Sequence, residues 1–423
     1  MKRIAYLLHR FPRVTDTFIR REIRSLQAAG MQVRVISVWC PGEYETTPEI
    51  LGQWSLDTEF LLPKSIFSIA LMVLASVIRS PGRFLASARL ALSTSRPGIR
   101  GHTYQLLYFI QAVLAAEALR RKAIDHVHNH IGDQSGTVTM LAACLTGIEY
   151  SITFHGWPVF FDAKYSRIKD KVMRARFTRS IGYFCRSQLM MFSDCDDVDR
   201  FKIVHCGVAI AKYRYRAPRK TIKTLFCATR LAPEKGLTFL LRAMALLRKQ
   251  GYDLELRLGG DGPSKGGLQD SATRLGLSDR VHFLGFLTED EIVLELESSD
   301  LFVLPSFVEG IPVSAMEAMA VGVPVIATNI AGTSELIEDG RTGLLVRPSD
   351  PEALAEAVVR MIDDHPLRLR CAELGRQKVV AEFDVDKETA KLRGHLLENS
   401  DPAADHGAGN LRAESQVPIA SVG

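Results

Sequence analysis

From residue 221 onward, short apolar runs rich in β-branched residues alternate with stretches of helical period, and this alternation narrows the possible folds more than any other feature of the chain. The runs TLFCAT, LELRLGG, RVHFLG, LFVLPS, PVIAT and GLLV are separated by LTFLLRAMALLRKQG, GGLQDSATRLGL, EDEIVLELESS, VSAMEAMAVG and PEALAEAVVRMIDD. Strands that alternate with helices through short connections build βαβ units and hence a parallel sheet covered by helices. Residues 1–210 repeat the style less regularly, with RIAYLLH, QVRVISVW, HVHNH, YSITFHG, SIGYFC and FKIVHCG as expected strands. The expected class is therefore α/β, with two Rossmann-like doubly wound domains. The segment 210–221, IAKYRYRAPRKT, has basic residues, no acid and no period, and reads as the linker between them. The expected division is 1–212, 213–375, a terminal helix region at 376–398, and a disordered tail at 399–423 whose Gly, Ala, Ser and Pro content cannot build a core.

In open α/β sheets, ligands bind beyond the carboxyl ends of the strands, where loops meet helix N-termini. After LFVLPS the chain reads Phe307-Val308-Glu309-Gly310-Ile311-Pro312 and enters a helix. Gly310 permits a tight turn, and Pro312 suits a first helical turn, where its missing N–H costs little. Free N–H groups around Ile311, Val313 and Ser314 make an anion site. Glu309 stands at its mouth and Glu317 inside the helix, so two acids bracket a place for a phosphate. Acids beside an anion site are explained by hydroxyl donors, which suits a nucleotide sugar. A dipole partner and a solvated helix acid remain the bland alternative. At the end of TLFCAT, the loop ATRLAPEKG places Arg230 and Lys235 across a turn, where cations can neutralise charge on a departing diphosphate. The turn LGGDGPSKGG offers Gly260 and Gly262 for close backbone approach, yet fails as GxGxxG because Lys265 stands where the third glycine belongs.

The other candidates are weaker. DCDDVD (194–199) matches a metal-binding DxD, but any acidic cluster does, and a solvated turn explains it. His126, His128 and His130 alternate in HVHNH, putting His128 and His130 on one face; without further ligands at metal spacing, save Asp133, no metal is expected. His155, at the end of YSITFHG, can face an inter-domain cleft. The seven cysteines are scattered without a CxxC pair, so a reducing cytoplasm is expected rather than a disulfide framework. The apolar run 66–78 is shorter than the roughly 20 residues a membrane-spanning helix needs, and basic residues Lys64, Arg79, Arg83 and Arg89 flank it. Residues 1–220 hold 32 Lys+Arg against 17 Asp+Glu and residues 221–423 hold 21 against 31, so the halves carry +15 and −10. The basic half is expected to face something anionic, a membrane surface before a nucleic acid, since no nucleic-acid-binding motif is present.

Taken in order, ATRLAPEKG (228–236), GGDGP (259–263), VHFLGF (281–286), the block 304–358 from LPSFVEGIPVSAMEAMAVGVPVIAT to PEALAEAV, and HNHIG and TFHG upstream resemble the GT4-type retaining glycosyltransferases of the GT-B fold. The resemblance implies that Glu309 contacts the transferred sugar, Glu317 the ribose, and Arg230 and Lys235 the diphosphate. It also implies that His155 reaches the donor sugar and that no catalytic metal or other cofactor is used. The start FPRVTDTFIRREIRSLQAAG (11–30) is similar to a pattern in transferases that build colanic-acid-like exopolysaccharides, with Thr15 and Asp16 in place of a Ser-Glu pair, which suggests an acceptor-side role for Asp16.

The expected function is thus transfer of a hexosyl unit from a nucleotide diphosphate sugar to a lipid-linked or growing polysaccharide. The enzyme would be cytoplasmic and peripheral at the inner face of the plasma membrane, bound to anionic lipid through the basic half. The resemblance implies retention by same-face attack, with no protein nucleophile. A nucleotide-sugar epimerase of the same architecture and a non-catalytic sugar-nucleotide binding protein remain alternatives. An NAD-dependent oxidoreductase is disfavoured by the broken glycine motif.

Overall fold

The computed structural model describes residues 2–156 and 159–398; the expected tail at 399–423 lies outside them. Among the described residues, the strands form two parallel sheets. The first contains β1 (Arg3–Arg10), β2 (Gln32–Trp39), β3 (Thr58–Leu62), β4 (His126–His130), β5 (Tyr150–Phe154), β6 (Thr178–Ser180) and β7 (Phe201–Ile203), in the order β3-β2-β1-β4-β5-β6-β7. The second contains β8 (Thr224–Ala228), β9 (Glu255–Gly259), β10 (Val281–Gly285), β11 (Leu301–Leu304), β12 (Val325–Thr328) and β13 (Leu344–Val346), in the order β10-β9-β8-β11-β12-β13. Every residue of β11 and β12 is buried, as expected of central parallel strands covered on both faces. Strand order reverses between β1 and β4 in one sheet and between β8 and β11 in the other. Those two crevices are where doubly wound sheets bind ligands, and the motif-bearing loops open into them.

Two strands differ from expectation. SIGYFC is not a strand: β6 ends at Ser180, and the helix Tyr183–Ser193 begins after Gly182. β3 escapes the period-2 pattern because it is a short edge strand carrying Glu59, which pairs with Arg121 and, at 3.1 Å, with Lys122.

The segment after β7 is anchored to the second domain. Tyr213 is buried, Arg216 N donates to Val321 O at 2.8 Å, and Arg219 meets Asp300 at 2.9 Å. At the other end, the helix His365–Glu382 packs on Val313–Val321. The chain then crosses beside Val208, which donates to Phe383 O at 2.9 Å and accepts from Val385 N at 3.1 Å. The last helix, Val385–Leu397, lies on Thr17–Ala28 and contributes Leu392 and Leu396 to the core around Ile4, Ile19 and Ile23. The run 66–78 forms the helix Ile66–Arg79, which turns through 117° into Pro81–Ser93. Among the described residues, no single helix is long and apolar enough to cross a membrane.

Candidate active site

The loops after β8 and β11 dock against each other at the strand-order reversal of the second sheet. Phe307 N donates to Glu234 O at 2.8 Å, and Gly236 presses on Pro305 so closely that a Cβ there would lie 2.1 Å from Pro305 O. This docking brings Lys235 Nζ to 2.7 Å from Glu309 Oε1, which also accepts from Ser306 Oγ at 2.7 Å. Both side chains are mostly buried, at 19% and 14% exposure. Arg230 stands apart from the pair: its side chain is exposed and reaches only Glu234, at 4.0 Å.

The glycines serve contacts the sequence did not foretell. A Cβ on Gly260 would lie 1.9 Å from Thr229 O, and one on Gly262 2.4 Å from Leu231 O. Their positive φ values let the β9 loop lie flat on the ATRLAPEKG loop, whose Thr229 N and Leu231 N donate to Gly259 O and Asp261 O. Gly310 needs no left-handed conformation. Its missing side chain allows approach to the other domain, where a Cβ would lie 2.6 Å from His155 O and 2.7 Å from Ile181 Cδ1. The following helix, Val313–Val321, starts after Pro312 without a side-chain cap, which leaves donors at its N-terminus.

Three cross-domain contacts complete the arrangement, of which the sequence pointed only to His155 at the cleft. Glu317 Oε1 is held by Arg21 Nη2 at 2.7 Å and by the Tyr213 hydroxyl at 2.9 Å. Arg21 also approaches Glu289 at 3.3 Å, and Glu317 holds its guanidinium charged against the opposing effect of burial. Glu335 accepts from Tyr183 N and Phe184 N, each at 2.7 Å, and so caps a helix of the first domain that has no side-chain cap of its own. Finally, the His155–Gly156 turn rests on Gly310. Gly156, Ile181 and Gly182 of the first domain and Gly310, Ile311 and Glu335 of the second line one small cleft.

His155 enters this cleft through its backbone. Its ring is turned inward, with Nε2 at 2.9 Å from His130 Nδ1 and Nδ1 at 3.6 Å from Cys206 Sγ; burial pushes its pKa well below the usual range. The expected reach of the ring to a donor sugar is therefore replaced by a turn whose carbonyl faces Gly310. Asp16 is likewise engaged: Arg13 Nη2 lies 3.0 Å from its Oδ1, and Arg13 N donates to its Oδ2 at 3.0 Å. Burial raises the Asp16 pKa despite Arg13. Asp16 orders the loop after β1, at the strand-order reversal of the first sheet.

One group among the described residues has metal-ligand spacing: Glu22, His128 and His130. Its atoms already have partners. His128 meets Ser151 Oγ at 2.7 Å and Thr153 Oγ1 at 2.9 Å, His130 meets Glu22 and His155, and Glu22 accepts from Tyr6 and from the buried Arg179. Arg179 supplies the positive charge a cation would bring. The DCDDVD acids lie beyond the helix Tyr183–Ser193, where Asp194 pairs with Lys169 at 3.0 Å and both side chains are exposed.

Two Rossmann-like domains closed on a cleft, with an acid–lysine pair and an uncapped helix N-terminus on one wall, have the architecture of the GT-B fold. Residues 213–378 match the family model "Glycosyl transferases group 1". The chain is 26% identical over 417 residues to a putative colanic acid biosynthesis glycosyltransferase, WcaL, of Salmonella typhimurium, covering 92% of this chain and 99% of that one. It is 32% identical over 196 residues to an alpha-D-kanosaminyltransferase of Streptomyces kanamyceticus, spanning 46% of this chain and about half, 51%, of that enzyme. Its fold superposes on Anabaena HepE, solved in complex with UDP, with a TM-score of 0.72 at 18% identity, covering 94% and 99% of the two chains. The match to the group 1 glycosyltransferases spans the second domain.

Proposed function

We propose that this enzyme transfers a hexosyl unit, with retention, from a nucleotide diphosphate sugar to a lipid-linked or growing oligosaccharide of an exopolysaccharide, capsule or lipopolysaccharide. The observation that carries this reading is the meeting of Glu309 and Lys235 at 2.7 Å beneath the turn that the first domain lays on Gly310. The diphosphate lies at the uncapped helix N-terminus near Ile311, Pro312 and Val313, with Lys235 and Arg230 neutralising the charge that grows as it departs. Glu309 takes a hydroxyl of the transferred sugar. Glu317, whose Oε1 is held by Arg21 and Tyr213, offers Oε2 to the ribose. The acceptor hydroxyl attacks on the face of the leaving group and passes its proton to a phosphate oxygen, so the protein supplies positioning and electrostatics. The mechanism assigns no step to a metal, so EDTA should leave the rate unchanged.

A lipid-linked acceptor fits the surface of the first domain. Ile66, Phe67 and Ile78 of the helix Ile66–Arg79 are 87%, 74% and 73% exposed, and Leu71, Leu74, Leu85 and Leu92 continue the apolar face across the bend. Exposed Lys64, Arg83 and Arg89 flank it, a combination suited to the inner, anionic face of the plasma membrane from the cytoplasmic side. Thermal-shift screening against UDP- and GDP-sugars, followed by transfer with the stabilising donor, tests the reaction. Loss of transfer in Glu309→Gln at unchanged fold is expected, and full turnover in that variant refutes the site. Binding to anionic vesicles should weaken as salt rises and fall in Phe67→Asp; equal binding to neutral vesicles would count against an electrostatic contribution.

A further inference from the structure

A chain of hydrogen bonds runs from the core of the first domain to the turn that touches the second. Glu22 Oε1 accepts from Tyr6 OH at 2.6 Å and lies 2.9 Å from His130 Nε2, while its other oxygen takes the guanidinium of Arg179. Arg179 is fixed in turn by the carbonyls of Val204 and His205, each at 2.9 Å. Next come His130 Nδ1 and His155 Nε2, 2.9 Å apart, and then His155 Nδ1 and Cys206 Sγ. Tyr6, Glu22, His130, Arg179 and Cys206 are all buried.

The donors along this chain can be assigned by elimination. Burial opposes the charge on Glu22, but the Arg179 guanidinium and the hydrogen bond from His130 more than reverse this and keep it ionised. An ionised carboxylate only accepts, so the proton between Glu22 and His130 sits on His130 Nε2. Arg179 already balances the carboxylate, so His130 is taken to carry this one proton, which leaves Nδ1 as an acceptor. His155 must then donate from Nε2. Its Nδ1 is bare and faces the Cys206 thiol, the remaining donor.

We propose that Glu22 is a positioning residue for sugar transfer. Acting through His130, it fixes the ring and tautomer of His155 and so seats the His155–Gly156 turn against Gly310, where the turn closes on the transferred sugar. This rests on the donor-site reading above. A cluster that merely stabilised the first domain would leave kcat unchanged in a folded variant, whereas a seat for the turn ties the rate of transfer to the His155 tautomer.

The test uses the full chain labelled with ¹⁵N-histidine, with His155 assigned by His155→Gln. Long-range ¹H–¹⁵N correlation on the wild type is expected to show His155 protonated at Nε2 and bare at Nδ1. His130→Phe keeps the Glu22–Arg179 pair and a ring of similar shape, so it avoids the unpaired buried arginine that Glu22→Ala would leave. In His130→Phe, the two His155 nitrogens should move toward averaged shifts, and kcat should fall by about tenfold or more. Dissociation constants for UDP or GDP should stay within about twofold, because positioning acts on the transferred group. Glu22→Asp should recover part of the lost kcat relative to Glu22→Gln. The proposal is overturned by an unchanged His155 tautomer in folded His130→Phe, or by a kcat within about twofold of wild type. A wild type that transfers no sugar would refute the transferase reading, while the tautomer comparison still decides the linkage.

Discussion

Lys235 and Glu309 should behave in kinetics as one unit. Their 2.7 Å contact between mostly buried groups corresponds to about 6 kcal/mol of gross attraction at an effective dielectric of about 20. Desolvation cancels most of it, and Glu309 keeps the Ser306 hydroxyl and some contact with solvent, so Lys235→Ala should destabilise the second domain by only about 1–2 kcal/mol, or about 2–8 °C in Tm. The kinetic cost is larger if Lys235 has the proposed role, toward charge that appears only as the diphosphate leaves. Removing one preorganised group of this kind costs about 10²–10³ in kcat, or about 2.7–4 kcal/mol. Glu309→Gln should cost a similar amount. The double variant should then fall no more than about tenfold below the weaker single variant, since each group positions the other. Steady-state transfer with the donor found by thermal shift, run on all four proteins, measures the cycle. Losses that simply multiply, to about 10⁴–10⁶, would show that the groups act independently. A Lys235→Ala rate within about threefold of wild type would remove the lysine from the chemistry altogether.

Other perturbations follow from single contacts. Gly310→Ala puts a methyl group 2.6 Å from His155 O and should force the domains apart; small-angle scattering should report a larger radius of gyration and transfer should drop by about tenfold or more, whereas unchanged scattering and rate would contradict the close approach. Arg21→Ala leaves Glu317 buried with Tyr213 alone, and urea titration should show a loss of about 3 kcal/mol, the cost of breaking a buried pair; a loss under about 1 kcal/mol would mean water replaces the arginine freely. Lys171 is fully buried, donates to Gly132 O and Asp133 O at 2.9 and 2.7 Å, and is pulled by burial to a pKa of about 8 from 10.5. The unfolded chain keeps that proton to higher pH than the folded one, so stability should rise with pH between about 8 and about 10.5. Lys171→Met should flatten that slope in denaturant midpoints, and an unchanged slope would assign it to other groups.

The fold was legible because period and burial agree wherever parallel strands lie at the centre of a sheet. LFVLPS and PVIAT read as strands since β11 and β12 are covered on both faces; TEFLL did not, since an edge strand tolerates Glu59. Of the site, the pairing of Lys235 with Glu309 was accessible, because both close loops at carboxyl ends of strands and the topology sends those loops to one crevice. What could not be read were contacts between residues hundreds of positions apart, such as Arg21 with Glu317 or Tyr183 and Phe184 with Glu335. They depend on how two separately folded sheets face each other, and no local pattern carries that information. The same limit explains Gly310, whose conformation is ordinary and whose need for glycine arises only from His155 across the cleft.

The helix Thr17–Ala28 shows how such contacts can still be anticipated. Four of its twelve residues are charged, yet Arg20, Arg21 and Glu22 are buried, which is rare unless each finds a partner. Successive residues on a helix point about 100° apart, so neighbours need not share a destination. Arg21 turns across the cleft to Glu317, and Glu22 turns into its own domain toward His130. One helix thereby holds Glu317 across the cleft and, through His130, reaches the His155–Gly156 turn that rests on Gly310. It begins directly after Asp16, in the loop that follows β1. A run of charge on a short helix next to a strand-order reversal is therefore a reason to look for two binding partners on different sides, before attributing the charge to solvent.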